Sequence, residues 1–272
     1  MNVAGRDTAA RKLRGTVPWP LVVCAGIAVA LFVLPLLGLV LRAPWRNALQ
    51  ELAAPEVAQA LRLSLICSVA ATVASMLLGM PLAWLLARVD FRGRGLVRGL
   101  VMLPVVLPPV VGGVALLLAF GRRGIVGAWL DAAFGITLPF TTAGAVLAET
   151  FVAMPFFILT IEGALHGLDV RLEDAARTLG ARPWTVFRRV TLPLLRPSLL
   201  AGAVLCWARA LGEFGATITF AGNFPGRTQT LPLAVYTALE TKPEAGFLLS
   251  LVLLLVSLAV LVALRRRWLD VP

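Results

Sequence analysis

Arg209 and Glu213 stand four residues apart inside an otherwise apolar run, and Glu149 interrupts another. Charges in such a setting face a bundle interior or a watery path rather than hydrocarbon. For the pair, two readings follow. Arg209 gives a passing anion electrostatic relief, or the two side chains neutralise each other and lock the helix that carries them. The second accords better with transport, because a tight site in the path slows release and an unpaired Glu213 repels an anion. Glu149 is a further buried-carboxylate candidate, or a residue that only caps or pairs locally.

Hydrolytic chemistry is poorly provided for. A phosphate-cradling G-x-x-x-x-G-K-[ST] loop needs a lysine before a hydroxyl residue. Here the lysines are Lys12, followed by Leu13, and Lys242, followed by Pro243. His166 is the sole histidine, no H-E-x-x-H pattern exists, and Cys24, Cys67 and Cys206 have no metal-ligand spacing. The chain is expected to carry no catalytic site, no metal and no cofactor of its own, and its cysteines read as small core or lipid-facing residues.

The elements that must position these side chains are membrane helices. Of 272 residues, 59% are hydrophobic and 14% charged, more apolar surface than one soluble core can hide. Runs approaching the roughly 20 residues needed to cross about 30 Å of hydrocarbon lie near Leu21–Leu41, Leu61–Ala87, Leu96–Phe120, Ala143–Leu165, Ser198–Phe220 and Gly246–Leu264. They lack the two-residue alternation of barrel strands, so an all-α bundle of six transmembrane helices is expected. Pro104, Pro108, Pro109, Gly112 and Gly113 should kink or break the third. Such a break either lines a transport site or fits neighbouring helices. Gly212 and Gly215 suit close helix packing.

Arginine placement orients the bundle. Arg6, Arg11, Lys12 and Arg14 precede the first span, and Arg88, Arg92, Arg94 and Arg98 follow the second. Arg171, Arg177, Arg182, Arg188, Arg189 and Arg196 follow the fourth, and Arg265, Arg266 and Arg267 end the last. The other side holds fewer, so both termini are expected in the cytoplasm. This gives a cytoplasmic segment over 1–20, a membrane domain over 21–264 with a cytoplasmic loop at about 166–197, and a tail over 265–272. The first run is too long for a usual signal-peptide core and reads as a retained helix. The net charge of +11 is divided among short loops and forms no groove with aromatic platforms, so nucleic acid is not expected as a partner, whereas anionic lipid is.

That cytoplasmic loop has helical grammar. Asp169 can cap a start. Leu172, Ala175, Ala176 and Leu179 recur on one face, Glu173 and Arg177 pair on another, and Gly180 suits the stop. Pro183 fits the first turn of a second short helix with Trp184 and Phe187 one turn apart, which Pro193 and Pro197 are expected to end. An amphipathic segment lying on the inner leaflet competes with this reading. The alanine-rich face is too small to hold a membrane well and flat enough for a protein groove.

Asp174-Ala175-Ala176, three residues, Gly180, nine residues, then Val190-Thr191-Leu192-Pro193 resembles the E-A-A-x-x-x-G-x(9)-I-x-L-P loop of bacterial ABC importer permeases. Asp174 stands at the glutamate position with Glu173 before it, and Val190 replaces isoleucine. The resemblance runs from about Leu61 to the C-terminus. It implies a type I importer permease fold in the bacterial plasma membrane, two copies of the chain, two ATP-binding cassette subunits holding ATP and Mg, and an external solute-binding protein. It further implies that Glu173, Asp174, Ala175, Ala176, Leu179, Gly180, Leu192 and Pro193 form the ATPase-coupling element, with either carboxylate serving as the polar contact.

Ala208 to Thr217, Ala221-Gly222-Asn223 and Pro225-Gly226-Arg227-Thr228-Gln229-Thr230-Leu231-Pro232-Leu233 are similar to the molybdate permeases, which implies a molybdate-binding protein as the external partner. Sulfate permeases share the Leu-Gly-Glu core, and tungstate importers are neighbours. Thr217, Thr219 and Asn223 then join Arg209 and Glu213 as translocation-path candidates, offering weak hydrogen bonds to oxyanion oxygens. A self-sufficient ion-coupled transporter is the other class. It calls for internal repeats and an ion relay, and the halves show no convincing repeat.

Overall fold

The computed structural model describes residues 18–268. The expectations for the N-terminal segment before Pro18 and for the tail beyond Trp268 lie outside the described residues. Helix α1, Trp19–Arg42, is a unit by itself. It is apolar on every face and contains no buried residue, the pattern of a helix whose surroundings are hydrocarbon. Cys24 is exposed on it.

The second unit begins at Pro44. It comprises α2 (Ala48–Leu52), α3 (Pro55–Arg88), α4 (Arg94–Val106), α5 (Pro109–Phe120), α6 (Gly127–Phe134) and α7 (Thr142–Gly167). Then follow α8 (Val170–Thr178), α9 (Pro183–Val186), a π-helical turn (Phe187–Thr191), α10 (Leu192–Leu194), α11 (Arg196–Leu211), α12 (Gly215–Ala221), α13 (Leu231–Thr241) and α14 (Pro243–Trp268). Among the described residues every regular element is a helix.

The packing is inverted relative to a water-soluble bundle. Along α3 the buried face is mostly small, with Ala60, Ser64, Cys67, Ser68, Ala71, Thr72, Ser75, Gly79 and Ala83 recurring every few positions and Leu63 and Leu86 its two large members. Ile66, Val69, Val73, Leu77 and Leu78 point outward and are exposed. Lipid supplies no hydrophobic drive between helices, so close approach through small residues does the work. A Cβ at Gly79 would already touch Phe157 Cδ1 at 3.0 Å. Helices α3, α7 and α11 share a core of Ala71, Leu86, Ala153, Phe157, Ile158, Ile161, Cys206 and Ala210.

Four single helices, α1, α3, α7 and α14, are long and apolar enough to cross a membrane, and the segment Pro183–Leu194 with α11 qualifies as a pair bent by 70°. Two expected spans are broken. The run Leu96–Phe120 divides at Leu107–Pro108 into α4 and α5, where the proline pair removes backbone donors. The run Ser198–Phe220 divides at Gly212–Phe214 into α11 and α12. A correction concerns Pro193, expected to end the second loop helix. Helical structure runs through it from Pro183 to Leu194, with the wider π-helical turn Phe187–Thr191 directly before the proline, where Leu192 N donates to the Phe187 carbonyl. The change of direction falls one step later, between Leu194 and Arg196.

Helices α2, α6 and α13 were not expected. The first two are short, and α13 opens at the Thr-Leu-Pro of a loop. Its start is capped from a distance, with Leu231 N donating to Ser64 Oγ of α3 at 2.6 Å.

Candidate functional site

Two places bring chemistry-bearing side chains together, one in the loop after α7 and one at the break between α11 and α12.

The loop site is built on α8. Asp169 Oδ1 accepts from Arg171 N at 3.0 Å and caps the start. Gly180 closes the end with φ +83°, its N–H donating to the Arg177 carbonyl at 2.9 Å while Ala181 N donates to the Ala176 carbonyl at 3.1 Å. This is the paired reverse bonding of a Schellman stop, which requires a left-handed residue that only glycine adopts without strain. Two satisfied ends make a nine-residue helix rigid.

The orientation of α8 is the reverse of the usual amphipathic arrangement. Leu172, Ala175 and Leu179 are exposed, Leu179 at 89%, and Ala176 is half-buried. Glu173 points inward and is 6% exposed. Its Oε1 accepts from Thr191 Oγ1 at 2.8 Å and from Arg88 Nη2, at the last residue of α3, at 3.3 Å. Burial of this carboxylate is compensated by a cation and a hydroxyl, as a buried charge requires. Asp174 is exposed and pairs with Arg177 at 3.3 Å. The Glu173–Arg177 pairing expected from their spacing is present only at 4.0 Å, because Arg88 and Thr191 hold the carboxylate turned inward. Trp184 and Phe187 stack at 5.5 Å between ring centroids. Leu192 and Pro193 are half-buried on the continuing segment.

Sequence reasoning missed Arg88 and Thr191 as partners, and it missed a second cluster. Glu162 of α7, 1% exposed, lies 3.1 Å from Arg98 of α4 and 3.7 Å from His166. A carboxylate inside an apolar run was the available signal, but its partner stands 64 positions earlier and local spacing says nothing of it.

At the α11–α12 break, Arg209 Nη1 lies 2.6 Å from Glu213 Oε2. The other carboxylate oxygen accepts from Ala216 N at 2.8 Å, at the start of α12, where the helix dipole favours negative charge. Glu213 is therefore doubly satisfied and 1% exposed, while the Arg209 side chain is 28% exposed. Thr219 Oγ1 donates to its own helix, at Gly215 O, at 2.8 Å. Asn223 Nδ2 donates to Thr237 Oγ1 of α13 at 2.9 Å. Thr217 is fully buried and its hydroxyl has no hydrogen-bond partner, as has Glu149 Oε2 in α7. The structure thus joins Arg209 to Glu213 and gives Thr219 and Asn223 other partners. Gly215 packs against Pro109, where a Cβ would come within 2.9 Å, whereas Gly212 follows the end of α11 and a Cβ there would make only an ordinary 3.6 Å contact with the Ala208 carbonyl oxygen.

A groove of about 970 Å³ runs between α3 and the Pro183–Leu199 stretch, lined by Met80, Trp84, Trp184, Phe187 and Leu192 among other apolar residues. It offers carbon, and nothing to solvate a dianion.

Long apolar helices with large hydrophobic residues exposed on their outer faces, broken helices around a buried ion pair and a polar-tethered helix in a loop define a multi-pass membrane transport subunit. The chain belongs to the family of binding-protein-dependent transport system inner membrane components, which it matches over residues 75–270. It is similar to the molybdenum transport system permease protein ModB of Mycobacterium tuberculosis, 47% identical over 234 residues that cover 86% of this chain and 88% of that one. The Escherichia coli protein of the same name is 47% identical over 78% of this chain and 92% of its own length. The sulfate transport system permease protein CysT of Escherichia coli is 35% identical over 82% of each chain. Among solved structures, a bacterial ABC transporter involved in import of the polysaccharide alginate matches with a TM-score of 0.75 over 93% of this chain and 95% of that one, at 16% identity. The methionine transporter MetNI matches at 0.62 over 77% of this chain and 93% of that one, at 21% identity. These establish an all-α importer-permease fold. The chain is a transport subunit of the inner membrane rather than a catalytic one.

Proposed function

We propose that this permease carries molybdate, as the membrane-spanning part of an ATP-driven importer assembled from two copies of the chain, two ATP-binding cassette subunits and an external molybdate-binding protein. The observation that carries the ATP-driven reading is the geometry of α8. A helix whose apolar face is exposed while its carboxylate is tethered inward is shaped to enter a groove on a partner, and its fixed ends let it transmit a push. The sequence has no phosphate-binding loop, so the energy source is placed on that partner, which supplies ATP and Mg. The polar contact to it falls to Asp174, and Leu172, Ala175 and Leu179 fill the groove.

Closure of the two ATPases on nucleotide draws the two α8 helices together and opens the path outward, and hydrolysis restores the inward state. The path itself forms between the two copies, since the large groove within one chain is apolar. The Arg209–Glu213 pair locks the broken helix, and selectivity is delegated to the binding protein. The choice of molybdate rests on the likeness to molybdenum permeases, and sulfate is the alternative because sulfate permeases match at lower identity.

The test is binding-protein-dependent ATP hydrolysis and uptake in proteoliposomes, compared for molybdate, tungstate and sulfate. Stimulation by molybdate well above sulfate supports the reading, and equal stimulation by sulfate overturns the molybdate choice. Uptake by the chain alone down an ion gradient overturns the ATP-driven reading altogether.

A further inference from the structure

Two adjacent carboxylates, Glu173 and Asp174, occupy the same turn of α8 and the structure treats them oppositely. We propose that Glu173 is a positioning residue and not a partner contact: with Arg88 and Thr191 it clamps α8 to the end of α3, so that displacement of α8 is delivered to α3 as a unit. This inference rests on the reading of α8 as the element driven by an ATPase.

The clamp joins three separate pieces of chain at one oxygen. Glu173 Oε1 receives Arg88 Nη2 from the terminus of α3 and Thr191 Oγ1 from the end of the π-helical turn. The Arg88 side chain is 16% exposed, so water competes weakly for the pair. Removing either partner leaves the other buried and uncompensated, which is the costly way to break an ion pair. Asp174 has no such role, being exposed and paired only within its own helix.

Helix α3 gives the clamp a destination. It is a single helix from Pro55 to Arg88, and Ser64, near its other end, caps α13 by accepting from Leu231 N. From Ser64 to Arg88 is about 36 Å at the helical rise per residue. One continuous helix, with Pro81 in its interior, therefore ties the loop helix at one end to α13 at the other. A double-mutant cycle measures the coupling that this connection carries.

The experiment has two arms. In the first, amide hydrogen exchange is measured over residues 170–191 in the purified full chain in lipid nanodiscs, for the parent and for Arg88→Ala, Glu173→Ala, Glu173→Gln and Asp174→Ala. Exchange should rise by roughly tenfold or more in the two Arg88 and Glu173 alanine variants and stay at the parental level in Asp174→Ala. In the second, oxyanion imported per ATP hydrolysed is measured in the assembled transporter. The ratio should fall in Arg88→Ala and Glu173→Ala, fall no further in the double variant, and recover in Arg88→Lys, which keeps the single charged contact. Asp174→Ala should instead weaken ATPase association. Parental exchange in both alanine variants, or a parental transport-to-hydrolysis ratio in both, overturns the inference. If an alanine variant fails to assemble, Glu173→Gln, which retains the acceptor for Thr191 and loses the charge, decides by the same ratio. Absence of ATP-driven uptake by the parent sinks the functional reading instead, while the exchange arm still decides whether the clamp exists.

Discussion

Arg209, in the last turn of α11, pairs at 2.6 Å with Glu213 in the break that follows, and the same carboxylate caps the start of α12. The pair is therefore part of the joint between α11 and α12. Arg209→Ala should leave Glu213 buried and short of a counter-charge, lowering stability by about 3 kcal/mol. The Arg209→Ala/Glu213→Ala double variant should recover part of that loss. Thermal unfolding in detergent checks both. Transport by the double variant separates the two readings of Arg209, since a lock can be replaced by packing and electrostatic relief of an anion cannot.

The Schellman stop of α8 makes a second prediction. Gly180 has φ +83° and open space where a Cβ would be, so Gly180→Ala costs conformational strain alone, roughly 1–2 kcal/mol. Membrane insertion should be normal and stimulated ATP hydrolysis reduced. Ala176→Arg, which crowds the face next to Leu172, should abolish association with the ATPase and leave insertion intact. Normal coupling in both variants, measured in proteoliposomes, would remove α8 from the mechanism.

The approach of α5 to α12 is set by Gly113. A Cβ there would fall 2.6 Å from Thr219 Cβ and 3.0 Å from the Ala216 carbonyl oxygen, and the second neighbour is backbone that cannot yield cheaply. Gly113→Ala should destabilise by about 1–3 kcal/mol through overpacking and lower transport. Gly163→Ala is the control, because nothing lies within 4 Å of its Cβ position. That variant should unfold at or slightly above the parental temperature.

The Arg98–Glu162 pair joins α4 to α7 with the carboxylate almost fully buried and the arginine half in water. Arg98→Ala should lower the unfolding temperature more than Glu162→Gln does, because the first strands a charge and the second removes it. The reverse order would show that the contact is incidental.

Much of this protein was legible without coordinates because it is a local property of the chain. Apolar runs of membrane-crossing length, the Asp169 cap, the Gly180 stop and the four-residue spacing of Arg209 and Glu213 each depend on residues within a turn or two of one another. The break before Pro109 is equally local, since Leu107 and Pro108 each precede a proline and both stand in extended backbone, at ψ 139° and 132°. Tertiary structure decided what depends on distant partners. Glu173 and Asp174 are adjacent carboxylates with equal claims until Arg88, 85 positions away, holds one of them inward. The first N–H of helix α13, that of Leu231, finds its acceptor in Ser64 of α3, 167 positions earlier. The physical reason is common to both. Local hydrogen bonding and periodicity are written into neighbouring side chains, whereas the burial of a charge is settled by whichever residue the fold delivers to neutralise it.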